Sequence, residues 1–577
     1  MDMRDANLSV NAVVTSVFPD KVRIEVKDIE SFKIADEKLS VGSYLRISDS
    51  DDCAIIAVIE NFLIEKKDGM DDRKYILEAL PIGFLDADGK FTRGGNNIAI
   101  PPIGVQPASK EDIQKIYAQI EPQKAFMFSK LAQDNSIVVP VDGDKFFNRH
   151  IAIVGSTGSG KSCTLATILQ KALVLKESSY DGLNNSHIVI FDLHGEYVSA
   201  FPQACHLNAE NLKLPYWLLN GEELEDLFVE AGDNQAYNQT SLLRRLITRN
   251  KQKQNNNAKI IFDTPARFSI NQVLNCLVNL SRETRDYKNP TTVTIQDASE
   301  EFKSDEAKFD KFFECELSFQ EPKSQNISKG TYNDGSLEKF ISRVKNKITD
   351  DRLLFLFGEK AEKATFEETL RQFMGYTIGN EANIMIIDLS GVPFEVLSTT
   401  VSLISRIIFE YGYYFKRTIS QATDKTPILL VYEEAHKYVP KSDAVRFSSS
   451  RIAIERIAKE GRKYGITLVI LTQRPSEVSE TIFSQCNNFV AMRLTNPADQ
   501  DYVKRLLPDS LGPLTESLPI LGSREALLIG DALVMPSLVV IDESCPTPSS
   551  TDVSFIQEWK KRWLDIDFNN LIKTWSK

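Results

Sequence analysis

The glycine-rich stretch GSTGSGKS, from Gly155 to Ser162, has the residue types and spacing to bind phosphate. It matches G-x-x-x-x-G-K-[ST], the Walker A pattern, with the apolar run HIAIV before it and the helical pattern SCTLATILQKALV after it. Its glycines let successive N–H groups turn toward phosphate oxygens beside a helix N-terminus. The alternative is a chance match in a Gly/Ser-rich loop, but the strand and helix around it favour an ATP site. We predict that the site consists of Gly155, Ser156, Thr157, Gly158, Ser159, Gly160, Lys161, Ser162 and Cys163.

Within this loop, two side chains have specific expected roles. Lys161 is expected to reach the β- and γ-phosphates and to act in catalysis, and the Ser162 hydroxyl is expected to bind Mg²⁺. ATP and Mg²⁺ are therefore the predicted cofactors.

A pair of adjacent acids, Glu433 and Glu434, follows the apolar run ILLVY. P-loop NTPases need one acid near the Mg²⁺ water shell and another residue to orient the attacking water. We assign Glu433 to Mg²⁺, through water, and Glu434 to polarising the attacking water. Most P-loop enzymes have Asp at the position of Glu433. The alternative reading is a pair of exposed acids that cap the next helix.

Other polar residues also end apolar runs. Asp388, in NIMIIDLSG, competes for the Mg²⁺ role, but no carboxylate adjoins it to activate water, so we interpret it as a strand-end cap. Gln473, in ITLVILTQ, is predicted to sense the γ-phosphate or to place water, because ligands gather at the carboxyl edge of open α/β sheets. Its alternative is a polar cap of a turn. Asp192 and Glu196, in IVIFDLHGEY, are candidate auxiliary acids that could equally be structural.

The elements that must position these residues are apolar strands alternating with helices, which predicts an α/β fold with a mainly parallel sheet covered on both faces. The strand candidates are HIAIVG, HIVIFD, NIMIIDLSG, PILLVYEE, ITLVILTQ, NFVAMRL and EALLIGD. This pattern predicts an ATPase core over residues 146–209 and 376–545. Residues 210–375 interrupt it as a mostly helical insertion.

The two ends of the chain differ from this core. Residues 1–105 contain short runs rich in β-branched residues, which predict a small β-barrel or sandwich domain. Residues 106–145 are predicted to form a connecting helix and linker. Residues 546–577 are predicted to form a loop and one amphipathic helix that braces a neighbouring subunit.

Composition limits the possible partners and compartment. The chain has 577 residues and a net charge of −12, so DNA could bind only at a local basic surface. The seven cysteines include no CxxC pair, which argues against a disulfide framework or a zinc site. No apolar stretch reaches the roughly 18 residues of a membrane span, and the N-terminus lacks a secretory signal pattern. We therefore expect a cytoplasmic protein with no membrane partner.

Several motifs taken together resemble the HerA hexameric ATPases, which are related to the FtsK-type DNA pumps. They are HIAIVGSTGSGKS, FDLHGEY, LLVYEEAHKYVP and AKEGRKYGITLVILTQRPSEVSETIFSQCNNFVAMRL, preceded by GFLDADGKFTRGG. The resemblance extends from about residue 8 to residue 542. It implies a RecA-like core, an N-terminal β-barrel like that of rotary ATP synthases, and a homo-hexameric ring that translocates on double-stranded DNA.

The resemblance also implies roles for basic residues. ATP would lie between subunits, and Arg462 in EGRKYG would act on a neighbour's ATP as a catalytic arginine finger, with Arg456 and Lys463 as alternatives. Arg462 could instead be an exposed cation at a helix end. Lys441, Arg446 and Arg451 would contact DNA phosphates, or they could belong to a solvated surface loop.

Two functions remain open from the sequence. The first is an ATP-driven DNA translocase or helicase that acts with a nuclease in DNA processing. The second is a nucleotide-controlled scaffold, as in bacterial two-component anti-phage defence systems, that assembles a separate effector. The chain shows no nuclease motif and no GxGxxG fingerprint after a strand. The effector, a nuclease or a sirtuin-like NAD-consuming enzyme, would therefore be a separate protein docked on the N-terminal domain.

Overall fold

The structure is a computed structural model. It describes residues 12–18, 21–27, 40–50, 53–66, 73–86, 88–94, 104–176, 182–230, 235–296, 299–323, 326–377, 379–418, 425–441, 449–506, 512–549 and 553–575. Its strands are β1 Ala12–Val17, β2 Val22–Val26, β3 Tyr44–Ser50, β4 Cys53–Lys66, β5 Arg73–Leu85, β6 Phe91–Arg93, β7 Gly104–Pro107, β8 Ala125–Leu131, β9 Val138–Asp142, β10 His150–Val154, β11 His187–Asp192, β12 Cys205–Leu207, β13 Thr284–Asp286, β14 Thr292–Thr294, β15 Ser299–Glu301, β16 Ile327–Lys329, β17 Ile384–Asp388, β18 Ile428–Tyr432, β19 Ile466–Thr472, β20 Cys486–Met492, β21 Glu525–Gly530 and β22 Ser537–Ile541.

The α-helices of the described residues vary from one turn to seven turns. They are α1 Lys110–Tyr117, α2 Gly143–Phe147, α3 Lys161–Leu173, α4 Gly221–Phe228, α5 Ala236–Gln254, α6 Ile270–Arg282, α7 Asp305–Phe312, α8 Glu338–Ile348, α9 Leu354–Phe357, α10 Glu359–Lys363, α11 Phe366–Met374, α12 Phe394–Thr418, α13 Ser449–Glu460, α14 Glu480–Phe483, α15 Pro497–Leu506, α16 Gly512–Glu516, α17 Phe555–Trp559 and α18 Phe568–Trp575. In this part of the chain, none is both long and apolar enough to cross a bilayer.

The N-terminal sheet is antiparallel, with the order β1-β2-β5-β4-β3-β7 and with β6 paired to β5. Every second residue of β2 is buried, so one face of this strand packs into a core with residues such as Ile24, Leu45 and Ile55. The end strands β1 and β7 lie close to each other, so the sheet curls toward a barrel. This arrangement agrees with the predicted small β domain.

The large sheet has 11 strands in the order β12-β17-β11-β18-β19-β10-β20-β21-β22-β8-β9. The seven strands from β12 to β20 are parallel, which confirms the predicted α/β fold with a mainly parallel sheet. Strands β10, β11, β18 and β19 are buried throughout, as expected for a sheet covered by helices on both faces.

The other end of this sheet departs from the sequence interpretation. The run EALLIGD forms β21, which pairs antiparallel to β20, and not a further parallel strand. Residues 106–145, predicted as a helix and linker, contain α1 but also β8 and β9, and β8 pairs with β22. An apolar run alone does not reveal the direction of its partner, because direction depends on the connection between the two strands.

The insertion, residues 210–375, contains helices α4–α11 and also a small antiparallel sheet in the order β15-β14-β13-β16, which the helical pattern did not predict. A buried ion pair joins the insertion to the core. The fully buried Glu223 of α4 accepts hydrogen bonds from the guanidinium of Arg406 on α12, at 3.0 and 2.9 Å. The Ser402 hydroxyl, also on α12, donates to the same carboxylate at 2.9 Å.

The sequence predicted one continuous amphipathic helix in the C-terminal segment, and the structure departs from this prediction. The segment forms two short helices, α17 and α18, and side chains such as Trp563 and Trp575 are exposed. The side chain of Asp567 accepts a hydrogen bond from the backbone N–H of Asn570 at 3.2 Å. An aspartate in this position favours a new helix start, which explains the interruption.

Candidate functional site

The glycine-rich stretch from Gly155 to Ser162, called the P-loop below, connects β10 to α3 at the carboxyl edge of the parallel strands. Gly158 and Gly160 have φ of 73° and 100°, the left-handed region that favours glycine. A Cβ on Gly155 would lie 2.6 Å from the Ser159 hydroxyl oxygen and 2.9 Å from Cβ of Met492, so only glycine fits there. The loop therefore exposes backbone N–H groups at the start of α3, which is the arrangement that binds phosphate.

Lys161, at the start of α3, lies among carboxylates. Burial lowers the pKa of Lys161, and the nearby carboxylates of Glu434, Glu433 and Glu196 oppose this shift. The Lys161 ammonium donates to the carbonyl of Ser156 at 3.5 Å. A largely buried ammonium group inside a glycine-rich loop fits the phosphates of a nucleotide, whose charge would compensate the cost of burial.

The Ser162 hydroxyl donates to Glu196 Oε2 at 2.9 Å, and the next residue, Cys163, is partly exposed on α3. The structure thus brings the predicted Mg²⁺ ligand Ser162 and the predicted auxiliary acid Glu196 together. A hydroxyl beside a carboxylate and a phosphate-binding loop is a suitable donor set for Mg²⁺, an ion that prefers oxygen ligands.

Asp192 ends β11 and is fully buried. Its Oδ1 accepts hydrogen bonds from the backbone N–H groups of His194, Gly195 and Glu196 at 3.2, 2.8 and 3.2 Å, and its Oδ2 accepts from Tyr197 N–H at 3.0 Å. This carboxylate therefore shapes the loop that carries Glu196. Its geometry supports the structural reading of Asp192.

Glu433 lies beside Asp192 and accepts a hydrogen bond from Leu193 N–H at 3.0 Å. It is buried, with a relative exposure of 5%. Burial, together with the neighbouring charge of Asp192, raises the pKa of Glu433 to about 9. A bound Mg²⁺ would favour its ionised form, since metal binding displaces protons from ligands.

Glu434 has an unusual backbone for a residue other than glycine, with φ of 45°. Such strain commonly accompanies functional sites. Its Oε2 is buried and accepts no hydrogen bond from the described residues, although His436 Nδ1 lies 3.3 Å away. His436 Nδ1 also lies 3.2 Å from the Thr472 hydroxyl. The carboxylate is therefore held near the P-loop without the hydrogen bonds of a structural cap.

Asp388, the alternative Mg²⁺ ligand, caps its own strand end. Its Oδ1 accepts from the backbone N–H and the hydroxyl of Ser390, at 2.9 and 2.6 Å. In the strand order, β17 is four positions from β10, whereas β18, which precedes Glu433, is two positions away. At about 4.8 Å per strand, the lateral separations from the P-loop strand are about 19 and 10 Å. The geometry thus favours Glu433.

Gln473 and Arg493 flank the P-loop from the two strands next to β10. The Thr157 hydroxyl donates to Gln473 Oε1 at 2.7 Å. On the other side, Ser156 N–H donates to the carbonyl of Arg493 at 2.7 Å. The sequence reasoning included Gln473 but missed Arg493, although its signal was the same: a polar side chain directly after an apolar strand, NFVAM.

Arg462 lies far from the P-loop of its own chain. It is exposed in the short 3-10 helix Gly461–Tyr464, just before β19, and so at the amino edge of the parallel strands. Its charge contributes to the lowered pKa of His150 at the start of β10, whose main cause is burial. The seven residues of β19 separate the two edges by roughly 20 Å. Arg462 therefore lies outside the P-loop site of its own chain.

The alternatives to Arg462 are also exposed. The Arg456 guanidinium lies 4.8 Å from the centre of the Phe409 ring, where a cation–π contact holds it against α12. The Lys463 carbonyl accepts a hydrogen bond from Lys416 at 2.8 Å. Neither contact assigns a catalytic role.

Two of the predicted DNA contacts, Lys441 and Arg451, lie beside acidic side chains. Lys441 pairs with Glu480 at 2.6 Å, and Arg451 lies on α13 with its Nε 3.7 Å from Glu455. Arg446 lies outside the described residues. Their proposed roles stay predictions.

Comparisons with known proteins show what the chain resembles. Residues 126–408 match the family model described as the central domain of helicase HerA. The chain is 25% identical over 562 residues to the DNA double-strand break repair helicase HerA of Sulfolobus acidocaldarius, an alignment that covers 92% of this chain and 94% of that protein. The chain is a HerA-like P-loop ATPase. The corresponding protein of Sulfurisphaera tokodaii is 25% identical over 494 residues, with 85% and 82% of the two chains covered.

The stretch of this HerA-like ATPase that the family model matches begins in β8 and includes the insertion. Among solved structures, VirB4 of Thermoanaerobacter pseudethanolicus aligns with a TM-score of 0.47 and 13% identity. That alignment covers 74% of the HerA-like chain and 98% of VirB4.

Proposed function

We propose that this HerA-like ATPase hydrolyses ATP at the P-loop edge of its large sheet and uses the energy to translocate on double-stranded DNA. The observation that carries the proposal is the convergence of Lys161, Ser162, Glu434 and Gln473 on one phosphate-binding loop. The relatives named as DNA double-strand break repair helicases support DNA as the partner.

In the proposed reaction, the P-loop N–H groups and Lys161 bind the β- and γ-phosphates. Ser162 and, through water, Glu433 would hold Mg²⁺, which neutralises phosphate charge when bound. Glu434 orients a water molecule and accepts its proton as the water oxygen attacks the γ-phosphorus. The bond between the γ-phosphorus and the β,γ-bridging oxygen breaks, and ADP leaves. Gln473 helps to place the water or senses the γ-phosphate.

The position of Arg462 supports an oligomeric ring, which we propose to be a homo-hexamer. Because Arg462 and the P-loop lie at opposite edges of the sheet, the arginine can complete only a site formed with a neighbouring subunit. An arginine finger accelerates phosphoryl transfer by about 10³- to 10⁵-fold in well-studied NTPases. ATP hydrolysis would then depend on ring assembly.

The proposed DNA contacts are Lys441, Arg446 and Arg451. Lys441 lines an open cleft of about 670 Å³ together with Lys504 and Arg505. Phosphate contacts of this kind would hold the duplex without reading its sequence. We further propose a cytoplasmic location and a separate effector, a nuclease or a sirtuin-like enzyme, that docks on the N-terminal domain.

The alternative function is a nucleotide-controlled scaffold for that effector, with translocation secondary. The exposed apolar side chains of the C-terminal segment, including Trp559, Trp563 and Trp575, favour a role in assembly, because exposed apolar patches often mark interaction surfaces.

The deciding experiment measures ATPase rate against ATP concentration, with and without linear duplex DNA, on protein of known oligomeric mass, with Lys161→Ala as the inactive control. Strong stimulation of a hexamer by DNA supports the motor. A hexamer that hydrolyses ATP but ignores DNA supports the scaffold. Wild-type protein with no more turnover than Lys161→Ala contradicts both.

A further inference from the structure

Arg493 lies next to the P-loop, on the side opposite to Gln473. It directly follows β20, and β20 is hydrogen-bonded in parallel to β10, with Ala491 opposite Val154. Gln473 directly follows β19, the other neighbour of β10, with Thr472 opposite Val154. Both residues therefore lie beside the first residues of the P-loop, at the carboxyl edge of the sheet.

The backbone of Arg493 is anchored to the loop. Its carbonyl accepts the N–H of Ser156 at 2.7 Å, and the Ser156 hydroxyl lies 3.1 Å from the hydroxyl of Thr495. Because these contacts involve no atom of the Arg493 side chain, they hold this backbone beside the loop whatever side chain stands at residue 493. The guanidinium is thus not needed to fix the loop.

The guanidinium itself faces the P-loop. Its Nη2 lies 3.8 Å from the point where a Cβ on Gly158 would be. Its Nε is buried and, among the described residues, has no hydrogen-bond partner. A buried donor without a partner is costly and calls for an explanation.

Other arginines at this edge differ, because acids neutralise them. Arg474, the neighbour of Gln473, pairs with Glu477 at 2.6 Å, and Arg524, which contacts the P-loop backbone, pairs with Glu543 at 2.9 Å. In the described part of the chain, no carboxylate forms an ion pair with Arg493. An uncompensated cation beside a phosphate-binding loop indicates that an anionic ligand supplies the missing charge.

We propose that Arg493 is a ligand of the γ-phosphate of ATP bound to its own subunit, and that it makes the site prefer ATP over ADP. This inference rests on the proposed ATPase function. Gly158 and Thr157 lie in the part of the loop before the N-terminus of α3, and Gln473, the predicted γ-phosphate sensor, contacts Thr157. Arg493 approaches the same part of the loop from the other side. An arginine suits this role, because its planar fork binds phosphate oxygens in a bidentate manner.

The test compares equilibrium binding of ADP and of the non-hydrolysable analogue adenylyl imidodiphosphate, both with Mg²⁺, to the full chain. Arg493→Gln is expected to weaken analogue binding by roughly 10-fold or more, the loss typical of a charge-assisted hydrogen bond, and ADP binding by less than about 3-fold. Arg493→Lys keeps the charge and should recover part of the analogue affinity. The matched control, Arg474→Gln, removes a neighbouring arginine that already has an acidic partner and should bind both nucleotides as wild type does.

Two outcomes would overturn the inference. Arg493→Gln could bind both nucleotides like wild type, or it could lose affinity for both equally, which would indicate general support of the loop. If Arg493→Gln does not fold, the Arg493→Lys variant tests the inference instead. An Arg493→Lys variant that binds both the analogue and ADP with wild-type affinity would contradict a bidentate γ-phosphate ligand. If the proposed ATP site itself is wrong, Lys161→Ala will bind nucleotide as tightly as the wild type does. That result distinguishes failure of the ATP site from failure of the Arg493 inference.

Discussion

Glu434→Gln is predicted to remove ATP turnover and to leave the stability of the fold nearly unchanged. The Glu434 Oε2 is buried and accepts no hydrogen bond among the described residues, so an amide of the same shape loses little in the folded state. The nearby His436 adds little ionic attraction near neutral pH, because burial lowers the pKa of His436. We expect the free energy of unfolding to change by less than about 1 kcal/mol. Loss of the general base should reduce kcat by about 10²- to 10⁴-fold.

Asp192→Asn provides the matched comparison at the same sheet edge. The Asp192 carboxylate accepts four backbone N–H groups, and an amide can place only one oxygen among them. At least one N–H group then faces an NH₂ group, and the remaining bonds lose their ionic component. We expect a loss of about 2–4 kcal/mol in stability, because unpaired buried donors and lost charge-assisted bonds each cost about 1–3 kcal/mol.

The assay measures steady-state ATP turnover and thermal unfolding of both variants beside the wild type, at one protein concentration. Glu434→Gln should retain its melting temperature and lose turnover, whereas Asp192→Asn should melt several degrees lower. Turnover of Glu434→Gln within about 10-fold of wild type would refute its role as the base. An Asp192→Asn variant as stable as wild type would refute the structural reading of Asp192.

The remaining predictions concern the phosphate site, the subunit interface and the insertion. Lys161→Ala should abolish nucleotide binding in a calorimetric titration without lowering the melting temperature, because it removes a cation whose pKa burial already lowers. Rings mixed from inactive Arg462→Ala and inactive Glu434→Gln subunits should recover turnover at about a quarter of their interfaces, and verified mixed rings without recovery would argue against a trans arginine. Burial lowers the pKa of Lys251 from 10.5 to about 8, so its folded form releases the proton first as pH rises. The free energy of unfolding of the wild type, relative to that of Lys251→Met, should therefore rise by up to ~3 kcal/mol between about pH 8 and 10.5. A difference in melting temperature between the two proteins that stays constant across that pH range would contradict a buried charged lysine.

Local sequence was sufficient for features that contiguous residues encode. The stretch from Gly155 to Ser162 predicted a strand, loop and helix, because the glycine positions and the flanking apolar patterns lie side by side in the chain. Fully apolar strands likewise predicted a mainly parallel sheet, since only strands covered on both faces bury every side chain.

The tertiary structure decided which strand ends are neighbours, because hydrogen bonding between strands joins residues far apart in sequence. Strand order placed Glu433 two strands from the P-loop and Asp388 four strands away, and it brought Arg493 beside Gly158. It also placed Arg462 at the opposite edge of the sheet from the P-loop, a separation that the motif EGRKYG does not encode.

Some structural features had no clear signal in the sequence. The antiparallel direction of β21 depends on its connection to β20, and β8 and β9 join the sheet through their pairing with each other and with β22. The role of the Asp192 carboxylate likewise depends on four N–H groups that converge only when the following loop folds around it. The sequence by itself determined the candidate chemical groups and the local elements that carry them. Long-range packing determined which of those groups meet, because a side chain's partners depend on distances in space that its neighbours in sequence do not set.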